Sequence, residues 1–138
     1  MRVLSVKEPF ATLIASGYKC IETRSWKTNY RGELFIHASG KSIDKKYLED
    51  SYISKIIDGL KMNYGNIICK VNLVDCIYMD EKFIEKIKQN NKEYQLGFYE
   101  IGRYAWIIDN IELIYPIKAK GKLNIWKYDG DYELIKKN

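Results

Sequence analysis

Two long runs limit what this chain can fold into: Asn66–Met79 and Tyr104–Tyr115, both dense in β-branched and aromatic residues. Such residues suit a pleated, half-buried surface, so both runs read as strands. In the first, Ile67, Cys69, Val71 and Leu73 share one face, and Ile68, Lys70, Asn72 and Val74 the other. Asp75 interrupts the pattern and predicts a bend or bulge there. Shorter strands are expected over Val3–Val6, Lys19–Trp26 and Glu33–Ala38. In the last of these, Leu34, Ile36 and Ala38 form a single core face, with Glu33, Phe35 and His37 opposite.

The helical stripes are short. Phe10, Leu13, Ile14 and Gly17 recur at i, i+3, i+4 and i+7. Pro9 suits the first turn of that helix and Gly17 its stop, and the apolar residues read as core packing. Ser42 is placed to cap a helix carrying Tyr47, Leu48, Ile53, Ile56, Ile57 and Leu60. Asp80 is placed to cap a shorter one with Phe83, Ile84 and Ile87. Asn90–Gly102 reads as a polar, aromatic loop, and Pro116–Trp126 as a basic, turn-rich segment.

Strands therefore outnumber helices without regular βαβ alternation, which argues against a doubly wound sheet. The expected fold is α+β: a small mixed β-barrel with helices packed at its ends and side. No repeat or linker divides the chain, and 138 residues suffice to bury a core, so 1–138 reads as one domain.

Charge and cysteine content narrow the function classes. A formal charge of +5 permits a phosphate or nucleic-acid ligand without requiring one. No stretch approaches the roughly 20 apolar residues that cross a bilayer, and the N-terminus lacks a signal-peptide pattern. Cys20, Cys69 and Cys76 have no CxxC spacing and read as free thiols, which with the single His predicts a cytoplasmic protein without a metal site or cofactor.

One segment stands out chemically. Gly17-Tyr18-Lys19-Cys20-Ile21-Glu22-Thr23-Arg24-Ser25-Trp26 runs into Thr28-Asn29-Tyr30-Arg31-Gly32. On a strand, Cys20, Glu22, Arg24 and Trp26 share a face, giving a row of acceptor, planar cation and aromatic plate. Arg grips phosphates or base edges, Glu accepts from base amino groups, and Trp stacks on bases. Spacing alone favours the plainer reading, an exposed Glu22–Arg24 ion pair beside a half-buried Trp26, a contact of small energetic weight.

The surrounding residues carry a resemblance. Leu4-Ser5-Val6-Lys7-Glu8-Pro9-Phe10-Ala11, then Gly17-x-Lys19-x-x-Glu22-x-Arg24-x-Trp26, then Thr28-x-Tyr30-Arg31-Gly32, then Ile36-His37-Ala38 follow in order. Val74-Asp75-Cys76, Gly102-Arg103-Tyr104-Ala105-Trp106, Pro116, Lys120-Gly121 and Trp126 continue the series. Together they resemble the ASCH domain (activating signal cointegrator homology) over nearly the whole chain, with Phe10 where that family usually has Trp. The resemblance implies a PUA-like barrel with a cleft between barrel and helices, and RNA, a nucleotide or a modified nucleoside as ligand. It places Lys19, Glu22 and Arg24 in the cleft, with Lys7, Trp26, Arg31, His37 and Ser39 as neighbours.

The resemblance leaves chemistry open. Some small relatives remove the acetyl group of N4-acetylcytidine through a Lys-x-x-Thr-x-Arg pattern and a later Glu. Here Lys19 and Arg24 match, Glu22 stands in place of Thr, and the later Glu falls near Asn72. Lys19 and Glu22 are then the candidate catalytic pair of an alternative hydrolase, acting on an acylated nucleoside or on RNA. His37 is either an acid/base group or a histidine bonded to backbone. Lys118, Lys120 and Lys122 alternate, either as a phosphate-facing row or as a solvated edge. Tyr94, Phe98, Tyr99 and Tyr104 form either a lid or packing across the barrel mouth, and a protein partner for this Tyr-rich loop is a third reading.

Overall fold

The computed structural model describes residues 1–136. One mixed sheet carries the fold, built from β1 (Arg2–Val6), β2 (Ile21–Arg24), β3 (Gly32–Ala38), β4 (Asn66–Tyr78), β5 (Tyr104–Lys118) and β6 (Ile125–Lys127). The strand order is β2-β5-β4-β3-β1-β6. Only β1 and β3 run parallel. The helices α1 (Phe10–Ala15), α2 (Lys45–Glu49), α3 (Ser51–Ile57), α4 (Glu81–Gln89) and α5 (Asn91–Tyr94) sit in the connections.

The sheet curls round an apolar interior. Leu4 and Val6 of β1, Leu34 and Ile36 of β3, Val71 and Leu73 of β4, and Trp106 and Ile108 of β5 meet in one buried cluster, which α1 closes with Ala11 and Ile14. The curl brings the ends of the strand order together. β6 pairs only with Arg2, Val3 and Leu4 of β1. From Ser5 onward that edge of β1 is free of β6, and there Arg24 of β2 donates from Nη2 to the Ser5 carbonyl at 2.7 Å. A side chain therefore bridges the seam where the barrel lacks a strand pair.

Long strands need bulges to curl. The β4–β5 register shifts between Leu73 and Asp75, as the interrupted pattern predicts, and again between Ile67 and Cys69. This second bulge corrects the expected face assignment. Ile68 joins Cys69 and Val71 in the interior, whereas Ile67 belongs to a separate cluster with Val3, Phe35, Ile114 and Trp126.

That second cluster also corrects the single-faced reading of β3. Phe35 is fully buried and His37 nearly so, because the segment after β5 crosses the outer face of the sheet. Tyr132 packs edge-on to Phe35 at 4.9 Å, and Leu134 bridges to Ile114.

Two helical expectations change as well. The helix expected from a Ser42 cap is two helices. Asp44 caps α2 through Lys46 N–H, and Asp50 ends α2 while capping α3 through the N–H groups of Tyr52 and Ile53. The expected loop at 90–102 contains α5, and its Leu96 packs with Leu13 and Ile53 in a further cluster. Asp80 caps α4 as expected, through Phe83 N–H.

Candidate functional site

The seam opens into a cleft of about 720 Å³ between β2, the ends of β1 and β3, the loop at 39–44 with the start of α2, and the loops at 96–98 and 121–124. Its floor is β2. Glu22 and Arg24 share one face of that strand and Ile21 packs on the other, against Met79, Ile87 and Ala105. The Arg24 Nε donates to Glu22 Oε2 at 3.1 Å, and Nη2 stands 3.1 Å from the same oxygen. The Glu22 side chain is 9% exposed and that of Arg24 23%. The pair is therefore a largely desolvated one and not the surface pair that spacing alone allows.

Lys19 lies deeper, 1% exposed. Its Nζ donates to the Leu96 carbonyl at 2.6 Å, stands 4.0 Å from Glu22 Oε1, and sits 5.5 Å from the centre of the Phe10 ring. Burial pulls the Lys19 ammonium below its ordinary pKa, while Glu22 and Glu93 pull it back up. Desolvation disfavours the charged form and a nearby carboxylate favours it, and here desolvation wins. Two cations thus face one carboxylate, and Glu22 Oε1 and Arg24 Nη1 have no hydrogen-bond partner among the described residues. Those two atoms can take a ligand's donor and acceptor.

Sequence reasoning missed the residue that holds this floor. β2 pairs with β5 on one side only, so its other edge needs partners for its N–H groups. The Glu93 carboxylate supplies them, accepting from Ile21 N at 2.8 Å and Cys20 N at 3.1 Å. From there the chain runs beside β2. Leu96 receives Lys19, and Phe98 N–H donates to Thr23 Oγ1 at 3.2 Å. A lone acidic residue within Asn90–Gln95 carries no periodic signal of this role.

Glu8 is a second unforeseen carboxylate. It is 2% exposed and accepts from the N–H groups of Thr12 and Asn63, both at 2.8 Å, and from the Thr12 hydroxyl. It joins α1 to the turn that leads into β4, outside the cleft.

The remaining expected site residues divide. Lys7, Trp26, His37 and Ser39 line the cleft with Lys19, Glu22 and Arg24. Trp26 is half-buried, set edge-on to Trp106 at 4.8 Å. Arg31 does not line it. Its Nη1 donates to the carbonyls of Thr28 and Tyr30, and its Nη2 pairs with Asp75 at 3.3 Å, so it fastens the 28–31 turn to the β4 bulge. Asn72, where the second carboxylate of the acetyl-removing pattern would fall, is exposed and also outside the cleft.

His37 is only 1% exposed. Its Nε2 lies 2.7 Å from the Ala119 carbonyl, so that nitrogen carries a proton and donates. Its Nδ1 is 3.1 Å from Ser5 Oγ, and that oxygen accepts from Trp126 Nε1 at 3.1 Å. The backbone-bonded reading of His37 describes this geometry: the ring ties the 119–121 turn to the sheet. A Cβ on Gly121 would come to 3.0 Å from His37 Cε1 and from Ser5 Oγ, so glycine lets the turn approach the ring without displacing either side chain.

Of the alternating lysines, Lys122 lines the cleft and Lys118 and Lys120 do not. Tyr94 and Tyr99 stack at 5.8 Å as packing, and Phe83 lies against the same ring. Phe10, expected only as core, packs on the interior yet also lines the cleft. Among the described residues, no group of three or more His, Cys, Asp or Glu is gathered to hold a metal ion. No helix there is long and apolar enough to cross a membrane.

The family model of the ASCH domain matches residues 4–122. The chain is 28% identical over 133 residues to activating signal cointegrator 1 of Mus musculus, and equally to that of Homo sapiens. Each alignment covers 91% of this chain but 22% of the relative, so the chain spans about a fifth of the curated relatives it matches. A crystal structure of ASCH from Zymomonas mobilis superposes with a TM-score of 0.54 at 18% identity, covering 85% of this chain and 72% of that one. That likeness shows the fold, an α+β PUA-like half-barrel. With the family match running from β1 to the loop after β5, this chain belongs to the ASCH domain family.

Proposed function

We propose that the protein binds RNA or a nucleotide in the cleft floored by Lys19, Glu22 and Arg24. The observation that carries this reading is the desolvated floor: two cations and one carboxylate, with an acceptor oxygen and a guanidinium nitrogen unused. A base amino group would donate to Glu22 Oε1, and an anionic or carbonyl oxygen would accept from Arg24. The rim is basic, with Lys7, Lys41, Lys46, Arg103 and Lys122 against Asp44. Cations at a cleft mouth attract phosphates and make binding salt-dependent.

The test is fluorescence anisotropy with a labelled single-stranded ribonucleotide oligomer, beside calorimetry with nucleoside monophosphates, at several salt concentrations. Affinity should fall as salt rises, and Lys19→Ala combined with Arg24→Ala should abolish binding of both probes. A double variant that binds as tightly as wild type would show the site assignment to be wrong.

One observation favours a second reading, hydrolysis of an acylated nucleoside. Burial lowers the pKa of Lys19 while Glu22 and Glu93 oppose the shift, and a lysine that gives up its proton more readily is a better candidate to take one from water. Glu22 stands beside it in place of a hydroxyl nucleophile, so any attack would use water. Incubation with N4-acetylcytidine decides between the readings: turnover absent from a Lys19→Ala control supports hydrolysis, and no turnover removes that substrate.

A further inference from the structure

Building on the nucleotide reading of the cleft, we propose that Phe98 and Arg103 form an adjoining shelf for the next base, making the ligand a single-stranded nucleic acid. Phe98 is 52% exposed at the cleft mouth, yet its backbone is bonded on both sides. Its N–H donates to Thr23 Oγ1 at 3.2 Å, and its carbonyl accepts from Arg103 Nε at 3.1 Å. The Arg103 guanidinium lies 4.5 Å from the centre of the Phe98 ring and reaches the Thr23 carbonyl from Nη2 at 3.4 Å. The preceding turn has little room to relax. A Cβ on Gly97 would sit 2.6 Å from Tyr99 Cε2 and 3.2 Å from Thr23 Cγ2.

These contacts do for Phe98 what burial does for other aromatics. The two backbone bonds set where the residue stands, Arg103 lies against its ring, and half of Phe98 stays in solvent, which lowers the entropy lost when a planar ligand stacks on it. The shelf is tethered to the cleft floor, because Thr23 stands between Glu22 and Arg24 on β2. Charge identifies the occupant. Arg103 itself and the lysines of the rim suit phosphates continuing past the cleft and offer nothing to an apolar peptide. Stacking of this kind tolerates any base.

Binding of a mixed-sequence hexaribonucleotide and of the four nucleoside monophosphates would be compared for wild type, Phe98→Ala, Phe98→Trp and Lys19→Ala. Wild type should bind the hexamer at least about tenfold more tightly than any monophosphate. Phe98→Ala should lose about tenfold for the hexamer alone, and Phe98→Trp should retain it. Lys19→Ala should weaken both probes. Equal affinity of wild type for hexamer and monophosphate, or a Phe98→Ala hexamer affinity equal to wild type, overturns the shelf and leaves the cleft reading standing. An equal loss of both probes in Phe98→Ala overturns it too. Failure of wild type to bind any probe overturns both.

Discussion

Glu93→Ala removes a carboxylate that touches no ligand in the proposed site, and its cost follows from the geometry. Hydrogen bonds to a charged acceptor contribute about 1.5–3 kcal/mol each. The Ile21 N–H lies in a buried setting and loses its 2.8 Å acceptor outright, costing about 2 kcal/mol. Cys20 is exposed, so water partly replaces its 3.1 Å bond, at about 1 kcal/mol. The loss of a favourable charge near buried Lys19 acts in the same direction. The sum is about 3 kcal/mol, a large share of a domain's typical 5–15 kcal/mol. With a urea slope of about 2 kcal/mol/M, the midpoint should fall by about 1.5 M.

Urea unfolding followed by tryptophan fluorescence measures it, since Trp106 is fully buried. Glu93→Gln keeps one oxygen for Ile21 and should recover about half of the loss. Glu49→Ala, in a solvent-exposed pair with Lys45, should leave the midpoint unchanged. A Glu93→Ala shift no larger than that control, or a Gln variant as damaged as the Ala variant, would refute the edge-clamp argument.

Three further outcomes are expected. Lys19 has a folded-state pKa below its unfolded value, so between the two the unfolded chain holds more protons and stability rises with pH; wild type should gain on Lys19→Met as pH climbs toward 10.5, and parallel midpoint curves would refute the desolvation. Asp50→Ala removes the cap that accepts from Tyr52 at 3.0 Å and Ile53 at 2.9 Å, and should cost about 1 kcal/mol by thermal unfolding, with no loss meaning that the α2–α3 break is not held there. Gly97→Ala forces a Cβ against Tyr99 and should destabilise by about 1–3 kcal/mol in the same assay, an unchanged melting temperature showing that the turn yields.

What the sequence shows and hides follows the range of the interactions. Periodicity over 104–115 and the break at Asp75 report a local pleat, and both are legible because neighbouring residues set them. Positions 67–69 are apolar throughout, so alternation there has no phase, and only the curl of the sheet decides that Ile67 turns outward. Phe35 and His37 look like a solvent face because the segment that covers them is remote in the chain, Ala119 against His37 and Tyr132 against Phe35. Lys19, Glu22 and Arg24 could be named from their motif, yet not their depth. Burial of Lys19 depends on Leu96 and Phe10 closing over it, and the support from Glu93 comes from a stretch with no pattern to mark it.

The side-chain bridge from Arg24 to the Ser5 carbonyl has a broader consequence. Where a sheet almost closes, the missing pair leaves a wedge, and its existence depends on strand order and not on the residues that line it. Substitution along the lining would change what the wedge accepts while the scaffold persists, because function resides in sites carried on a fold. A domain built this way can exchange one occupant for another, or gain and lose chemistry, by changing a few side chains on one four-residue strand and its adjoining loop.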